Sequence, residues 1–140
     1  MKKILSVFLI MTLLIRPGFV EAKEQENEPE LIPMLTTAYC SGTITASGAK
    51  VRKGICAVNK ERMYQLAIVY EDMDGKPGQI LGYYECLDTG FGADSDGNGI
   101  GSIQEGKVID IYQPTLEECY DWMRLTNGKV LVQFIEDAKG

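Results

Sequence analysis

Short apolar runs separated by turn-forming residues make up most of this chain, a pattern typical of β-strands. In one run Val108, Asp110 and Tyr112 alternate with two isoleucines, which is the period of two expected for a half-buried strand. Such runs predict strands at residues 31–40, 55–58, 66–70, 79–87, 107–112 and 129–135. Turn-forming residues at 72–78 predict a hairpin between the third and fourth strands.

One helix is predicted late in the chain. Thr115 and Glu118 form a capping box, whose side chains satisfy free backbone N–H groups at a helix start. Helical spacing predicts an apolar face made of Leu116, Cys119, Tyr120 and Met123. The helix should end at Asn127-Gly128, and Trp122 and Tyr120 are expected to pack rather than to contact a ligand. Six short strands and one helix predict a compact, mainly β barrel with helical decoration.

The first 22 residues have the three parts of a secretory signal peptide. Lys2 and Lys3 precede an apolar run over 4–15, and small residues in Val20-Glu21-Ala22 suit a cleavage site. The run has 12 residues, whereas a membrane span needs about 20, so an uncleaved anchor is the weaker alternative. We therefore expect export, a flexible leader over 23–34, and no stable membrane insertion after cleavage.

The amino-acid composition limits which partners the protein can bind and which catalytic groups it can use. Removal of residues 1–22 leaves 11 basic and 19 acidic residues, a net charge of −8, which disfavours nucleic acid as a partner. The chain has no histidine, which excludes Ser-His and Cys-His nucleophiles and an imidazole base. Any catalysis must therefore use carboxylates, lysine, tyrosine or serine.

The four cysteines all lie in the part predicted to be exported. They are Cys40, Cys56, Cys86 and Cys119. An even number in an oxidising compartment predicts two disulfide bonds, for which three connectivities exist. Buried free thiols are the alternative, and the absence of a Cys-x-x-Cys pair argues against zinc.

Asp110 is the first candidate for acid–base chemistry. It stands between Ile109 and Ile111 in a strand, so partial burial should raise its pKa. Asp88 ends another strand, and a second carboxylate nearby would raise that pKa further. The alternative is that Asp110 only accepts hydrogen bonds from turn amides.

Five short motifs occur in an order that resembles the three-aspartate (3D) domain family. They are Thr37-Ala38-Tyr39, Thr45-Ala46-Ser47-Gly48 with Lys50-Val51, Gly54-Ile55-Cys56-Ala57-Val58, Leu87-Asp88-Thr89-Gly90 and Ile109-Asp110-Ile111-Tyr112. The family includes the catalytic barrel of membrane-bound lytic transglycosylase A and small secreted cell-wall proteins of Gram-positive bacteria. The resemblance covers residues 35–138 and implies a six-stranded double-psi β-barrel.

The resemblance also implies an activity, the non-hydrolytic cleavage of the MurNAc–GlcNAc bond of peptidoglycan. It assigns Asp110 as the catalytic acid/base and places Asp88 in the same cleft. Asp110 would protonate the leaving oxygen and then take the proton of the C6 hydroxyl as a 1,6-anhydro ring closes, with no cofactor required. Predicted substrate contacts are Tyr39, Thr45, Ser47, Asn59 and Tyr112, and Tyr83 and Tyr84 are further candidates for sugar contact. For most of the four tyrosines, a place in the core is an equal alternative.

Two departures from the family pattern bear on function. Asn59 replaces the first family aspartate, and Phe91–Ser102 is an insertion between Asp88 and Asp110. The insertion begins a Ca²⁺-loop pattern with Asp94, Asp96 and Asn98 at positions 1, 3 and 5 and Glu105 at position 12. A solvated turn is the alternative, because the flanks do not resemble EF-hand helices and position 8 is glycine.

These observations predict a secreted lytic transglycosylase that acts on peptidoglycan glycan strands. Two alternatives remain open. The first is a non-catalytic module that binds or remodels cell-wall glycan, which the loss of a carboxylate at Asn59 would favour. The second is a Ca²⁺-stabilised interaction domain built on the insertion.

Overall fold

A computed structural model of the chain describes residues 28–136. The predicted signal peptide, residues 1–22, lies outside the described residues. Within them lie six strands and one α-helix: β1 Ile32–Tyr39, β2 Ile55–Ala57, β3 Leu66–Met73, β4 Lys76–Asp88, β5 Val108–Tyr112, α1 Leu116–Thr126 and β6 Lys129–Ile135. A short 3-10 turn, Lys60–Arg62, follows β2. The mainly β fold with a single helix is therefore confirmed.

The six strands form one sheet that closes in a ring, in the order β1-β5-β2-β4-β3-β6. β1 pairs in parallel with β5, and β2 pairs in parallel with β4. The other four pairings are antiparallel. Side chains from every strand and from the helix fill the core, including Met34, Cys56, Val69, Cys86, Ile109, Ile111, Trp122 and Val132.

Two segment boundaries in the structure differ from those predicted. The flexible leader predicted for 23–34 is wrong at its end, because Ile32 and Met34 pair with Val132 and Val130 of β6. The predicted turn over 72–78 shrinks to two residues, Asp74 and Gly75. Both have positive φ, 54° and 86°, as the two-residue hairpin turn that matches strand twist requires.

The capping prediction for α1 is confirmed at its N-cap. Thr115 Oγ1 accepts a hydrogen bond of 3.2 Å from the Glu118 backbone N–H. The Glu118 carboxylate, in turn, accepts from the Thr115 hydroxyl at 3.1 Å. The helix ends at Asn127, which has a left-handed backbone with φ of 52°.

The predicted apolar face of α1 is confirmed for Cys119 and Met123 and is wrong for Leu116 and Tyr120. Leu116 and Tyr120 are each 58% exposed. The buried face has the same spacing shifted by three residues, and consists of Cys119, Trp122, Met123 and Thr126. Trp122 sets this rotation, because its Nε1 donates to the buried Thr36 Oγ1 at 2.9 Å and its ring packs edge-on against Tyr84. Among the described residues, no helix has the length and apolar character needed to cross a membrane.

Candidate active site

The two candidate carboxylates flank one residue of the short central strand. Ala57 of β2 is the register partner of Asp110 in β5 and of Asp88 in β4. Since neighbouring strands lie about 4.8 Å apart, the Cα atoms of the two aspartates are separated by roughly 10 Å. Thr37 and Tyr39, two residues apart on the same face of β1, donate hydrogen bonds to Asp110 and Asp88 respectively, so both carboxyl groups are reached from one surface of the ring.

Asp88 is held firmly as a hydrogen-bond acceptor. Tyr39 Oη donates to Asp88 Oδ2 at 2.9 Å. The backbone N–H groups of Ala46 and Thr89 donate to Oδ1 at 2.9 and 3.0 Å. A carboxylate that accepts from three donors is fixed in place. Asp88 therefore suits the role of a stationary negative charge.

Asp110 has a different environment. Thr37, its register partner in β1, donates from Oγ1 to Asp110 Oδ1 at 2.8 Å. Within residues 28–136, this is the single hydrogen bond made to its side chain. Burial and, to a lesser degree, the charge of Asp88 raise the pKa of Asp110, while the Thr37 hydrogen bond works against them. A carboxyl with a raised pKa is the kind of group that can both donate and accept a proton.

Asp110 and Thr37 line an open groove of about 460 Å³. One wall is apolar, with Leu35 of β1 and Met123 of α1. The other wall comes from the segment after β4, and consists of Gly92, Ala93, Ser95, Ser102 and Ile103. The inserted segment Phe91–Ser102 thus contributes directly to the groove that Asp110 faces, which the sequence pattern did not indicate.

Tyr39 and Tyr112, predicted to contact substrate, lie beside the two aspartates. They are register partners at the ends of β1 and β5, and their rings meet edge to face with centroids 5.5 Å apart. Burial and the hydrogen bond to Asp88 raise the pKa of Tyr39 well above its ordinary value. Tyr39 therefore stays a neutral phenol that donates to Asp88.

The other two tyrosine candidates are not at this site. Tyr84 is only 9% exposed and packs in the core against Trp122, so its prediction as a sugar contact is wrong. A strand alternates faces, and Tyr84 lies on the inward face of β4. Tyr83 is 58% exposed. It is the register partner of Ile68 in β3, in the part of the ring that the β3–β4 hairpin forms.

Thr45 and Ser47 serve the loop that holds Asp88. Their hydroxyl groups lie 2.8 Å apart and hydrogen-bond to each other. The Ser47 backbone N–H donates to the Leu87 carbonyl at 3.1 Å, which fixes the loop against the end of β4. This arrangement presents the N–H of Ala46 to Asp88, so the two hydroxyl groups act through the loop rather than in the groove.

Asn59 lies beyond the end of β2 and outside the Asp110 groove. It lines a separate cavity of about 320 Å³ together with Thr89 and Gly90, which follow Asp88. Its Nδ2 donates to Glu61 Oε2 at 3.5 Å. Asn59 thus adjoins the Asp88 side of the site.

The four predicted metal ligands converge in one loop. Asp94 accepts from the backbone N–H groups of Asn98 and Gly99 at 3.1 and 3.0 Å. Asn98 Nδ2 donates to Asp96 Oδ2 at 3.2 Å and also to Glu105. Gly101, position 8 of the pattern, lies so close to the Phe91 backbone that a side chain there would collide with it.

Lys107 offsets part of the negative charge of this loop. Lys107 Nζ contacts Glu105 Oε2 at 2.7 Å and Asp96 Oδ2 at 3.5 Å. Hydrogen bonding lowers the pKa of both acids, through the Asn98 backbone for Asp96 and through Lys107 for Glu105. Among the described residues, no group of three or more His, Cys, Asp or Glu side chains is arranged to hold a metal ion.

The cysteines are close in space but not joined. Within the described part of the chain all four thiols are free, so the two expected disulfide bonds are not present in this structure. Cys56 and Cys86 have their sulfur atoms 3.6 Å apart in the core. Cys119 lies beside the exposed Cys40, whose thiol affects its pKa.

Sequence reasoning missed three donors to the site, the Thr37 hydroxyl and the backbone N–H groups of Ala46 and Thr89. One signal was available for Thr37. It stands two residues before Tyr39 in a predicted strand, and the period of two places both on one face.

A comparison with protein-family models finds no match to this chain, and a search of curated proteins finds none either.

Proposed function

We propose that this protein is a secreted enzyme that cleaves peptidoglycan glycan strands as a lytic transglycosylase, on a double-psi β-barrel. The observation that carries the proposal is the position of Asp110. Its half-buried carboxyl has a raised pKa, faces a groove of about 460 Å³, and lies two strands away from Asp88, with Ala57 of β2 between them. The parallel pairs β1–β5 and β2–β4 within the ring support the proposed topology.

The groove suits a saccharide in size and character. Its volume lies in the range of about 300–1,000 Å³ found for small-molecule sites. Leu35 and Met123 offer apolar surface to the C–H face of a sugar ring, while Thr37 and Ser102 offer hydroxyl groups. We place the scissile bond over Asp110, with the inserted segment as one wall.

Asp110 performs both proton transfers in this mechanism. Its protonated carboxyl donates to the glycosidic oxygen as the bond between MurNAc C1 and that oxygen breaks, and GlcNAc leaves as an alcohol. The C6 hydroxyl of MurNAc then bonds to C1, and its proton returns to Asp110. No water is consumed, so one acid/base group suffices where hydrolytic glycosidases use two.

Asp88 assists without touching the transferred proton. Its negative charge helps to keep the Asp110 proton in place at the start of the reaction. It also favours the positive charge that develops on the sugar ring as the bond breaks. Tyr39 positions Asp88 through the 2.9 Å hydrogen bond from its phenol.

The test is digestion of purified peptidoglycan with the exported chain, followed by mass spectrometry of the fragments. We expect 1,6-anhydromuropeptides from the wild type, and a loss of about 10²–10⁴-fold in rate for Asp110→Asn. The matched control is Asp74→Asn, because Asp74 is exposed at the hairpin turn and asparagine tolerates its positive φ. New reducing ends in place of anhydro ends would overturn the transglycosylase assignment.

A non-catalytic glycan-binding module is the second candidate, and the residue that favours it is Asn59. An amide there removes one carboxylate from the Asp88 side of the site, next to Thr89 and Gly90. The same digestion separates the two functions. Intact glycan strands together with retention of the protein on insoluble peptidoglycan would establish binding without cleavage.

We also propose that the loop of Asp94, Asp96, Asn98 and Glu105 binds Ca²⁺ as a structural ion. The donors fit a hard cation, since all are oxygens, and the Lys107 ammonium group shows that the loop attracts positive charge. Calorimetric titration with CaCl₂ should give heat for the wild type and none for Asp96→Ala. Lys107→Gln should bind more tightly, because it removes the competing cation. Absence of heat from both wild type and Lys107→Gln would end this proposal.

A further inference from the structure

The four cysteines form two separate pairs in space. Cys56 and Cys86 are register partners in the parallel strands β2 and β4, both have 0% exposure, and their sulfur atoms are 3.6 Å apart. Neighbouring strands lie about 4.8 Å apart, which falls within the Cα separation of about 4.4–6.8 Å that disulfide bonds require. A bond between them needs only a small movement of the two sulfur atoms.

The second pair lies where β1 and β5 end side by side. Tyr39 and Tyr112 are register partners, and the Gln113 N–H donates to the Tyr39 carbonyl at 2.8 Å. Residues 113–115 connect this end of β5 to α1, whose buried Cys119 lies in the first turns of the helix, while Cys40 follows β1 at the same end of the sheet. Burial, together with the charge and hydrogen bond of Cys40, raises the pKa of Cys119 to about 11.

We propose that the exported protein carries two disulfide bonds, Cys56–Cys86 and Cys40–Cys119. The other two connectivities would require a cysteine from the sealed core to reach the surface pair. Each bond forms by thiol–disulfide exchange with a small-molecule or protein disulfide. The two protein thiols lose two protons and two electrons and become joined, and the oxidant disulfide is reduced to two thiols.

Both bonds would brace strands that carry the candidate active site. Cys40 follows Tyr39, whose phenol donates to Asp88, and Cys56 precedes Ala57, which lies between the two aspartates. The pairs also differ in accessibility, since Cys40 is exposed and the core pair is not. A reductant added to the native protein should therefore open Cys40–Cys119 while Cys56–Cys86 stays closed. The pairing does not depend on the proposed enzyme activity.

Peptide mapping tests the pairing directly. Trypsin cleaves after Lys and Arg but not before Pro, so each cysteine falls in a different peptide: the one that ends at Lys50, then 54–60, 63–107 and 108–124. The chain is refolded with reduced and oxidised glutathione, alkylated, and digested without reduction. We expect 54–60 linked to 63–107, and the Lys50 peptide linked to 108–124. Four alkylated thiols, or any other linkage, would overturn the proposal.

Two further measurements test the order of reduction and the contribution to stability. Mild reduction of the native protein should release the surface pair alone, and early release of peptide 54–60 would contradict the inference.

Full reduction should lower Tm by at least roughly 10 °C. Cys40→Ser/Cys119→Ser should keep the core link in the peptide map and should match the partly reduced wild type in Tm. Linkage of Cys119 to a core cysteine in the single variant Cys40→Ser would overturn the assignment.

Discussion

Asp88 and Asp110 lie on either side of Ala57, each as its register partner in a neighbouring strand of the closed sheet. This places the fixed carboxylate of Asp88 near the proposed proton-transfer group, Asp110. Asp88 is held by three donors, whereas Asp110 is held by the Thr37 hydroxyl. The two carboxyl groups can therefore take different roles, because their surroundings differ rather than their chemistry.

Replacement of Asp88 by asparagine should shift the pH profile of the proposed glycan-cleaving activity to lower pH. The charge of Asp88 helps to raise the pKa of Asp110, so its removal lowers that pKa. The protonated fraction of Asp110 then falls at a lower pH, and the alkaline limb of the rate profile moves in that direction. Rates of anhydromuropeptide release across pH 3–8 measure the shift. An unchanged alkaline limb would show that Asp88 does not act on Asp110.

Replacement of Thr37 by valine should have the opposite effect. The Thr37 hydroxyl donates to Asp110 at 2.8 Å and lowers its pKa, so an isosteric side chain without the donor raises it. The alkaline limb should move to higher pH. Thr37 is exposed, so the folded structure should be preserved, which circular dichroism checks. A shift in the same direction as that of Asp88→Asn would contradict the assigned roles.

Asp110→Asn should increase stability at neutral pH. The folded pKa of Asp110 lies above its unfolded value of about 3.9, so the folded state binds more protons between these two values. The free energy of unfolding of the wild type therefore falls as pH rises through the raised pKa, and that loss is complete above it. Asparagine does not titrate, so the free energy of unfolding of the variant does not fall in this way. Its Tm should exceed that of the wild type at pH 7, with a smaller difference at pH 3. An equal difference at both pH values would argue against this linkage.

Trp122→Phe should destabilise the protein by about 1–3 kcal/mol. Trp122 Nε1 donates to Thr36 Oγ1 at 2.9 Å in the core, and Thr36 donates in turn to the Ile109 carbonyl at 3.0 Å. Loss of the indole N–H leaves the Thr36 hydroxyl, which is buried away from water, with one hydrogen-bond partner fewer. Urea denaturation measures the change. Tyr120→Phe on the exposed face is the matched control and should stay within about 0.5 kcal/mol of the wild type.

The local pattern of residues along the chain was sufficient to predict the strands and the helix of this fold. Short apolar runs bounded by turn-forming residues, with alternation of apolar and polar residues in β5, located all six strands, and the Thr115 capping signal located the start of α1. These signals act over a few residues, so they can be read without the rest of the chain. The same alternation identified Asp110 as a carboxyl held between two apolar residues, and burial does raise its pKa.

Which segments pair, and what surrounds each side chain, was decided only by the tertiary structure. The hydrogen bond from Thr37 to Asp110 joins residues 73 positions apart, and the parallel pairing of β1 with β5 that creates it leaves no trace in local periodicity. The Trp122–Thr36 hydrogen bond rotated the buried face of α1 away from the predicted one. The sequence by itself determined where strands, helix and carboxyl groups occur. The order of strands in the ring placed Asp88 and Asp110 together, because strand order is governed by the packing of distant segments into one core.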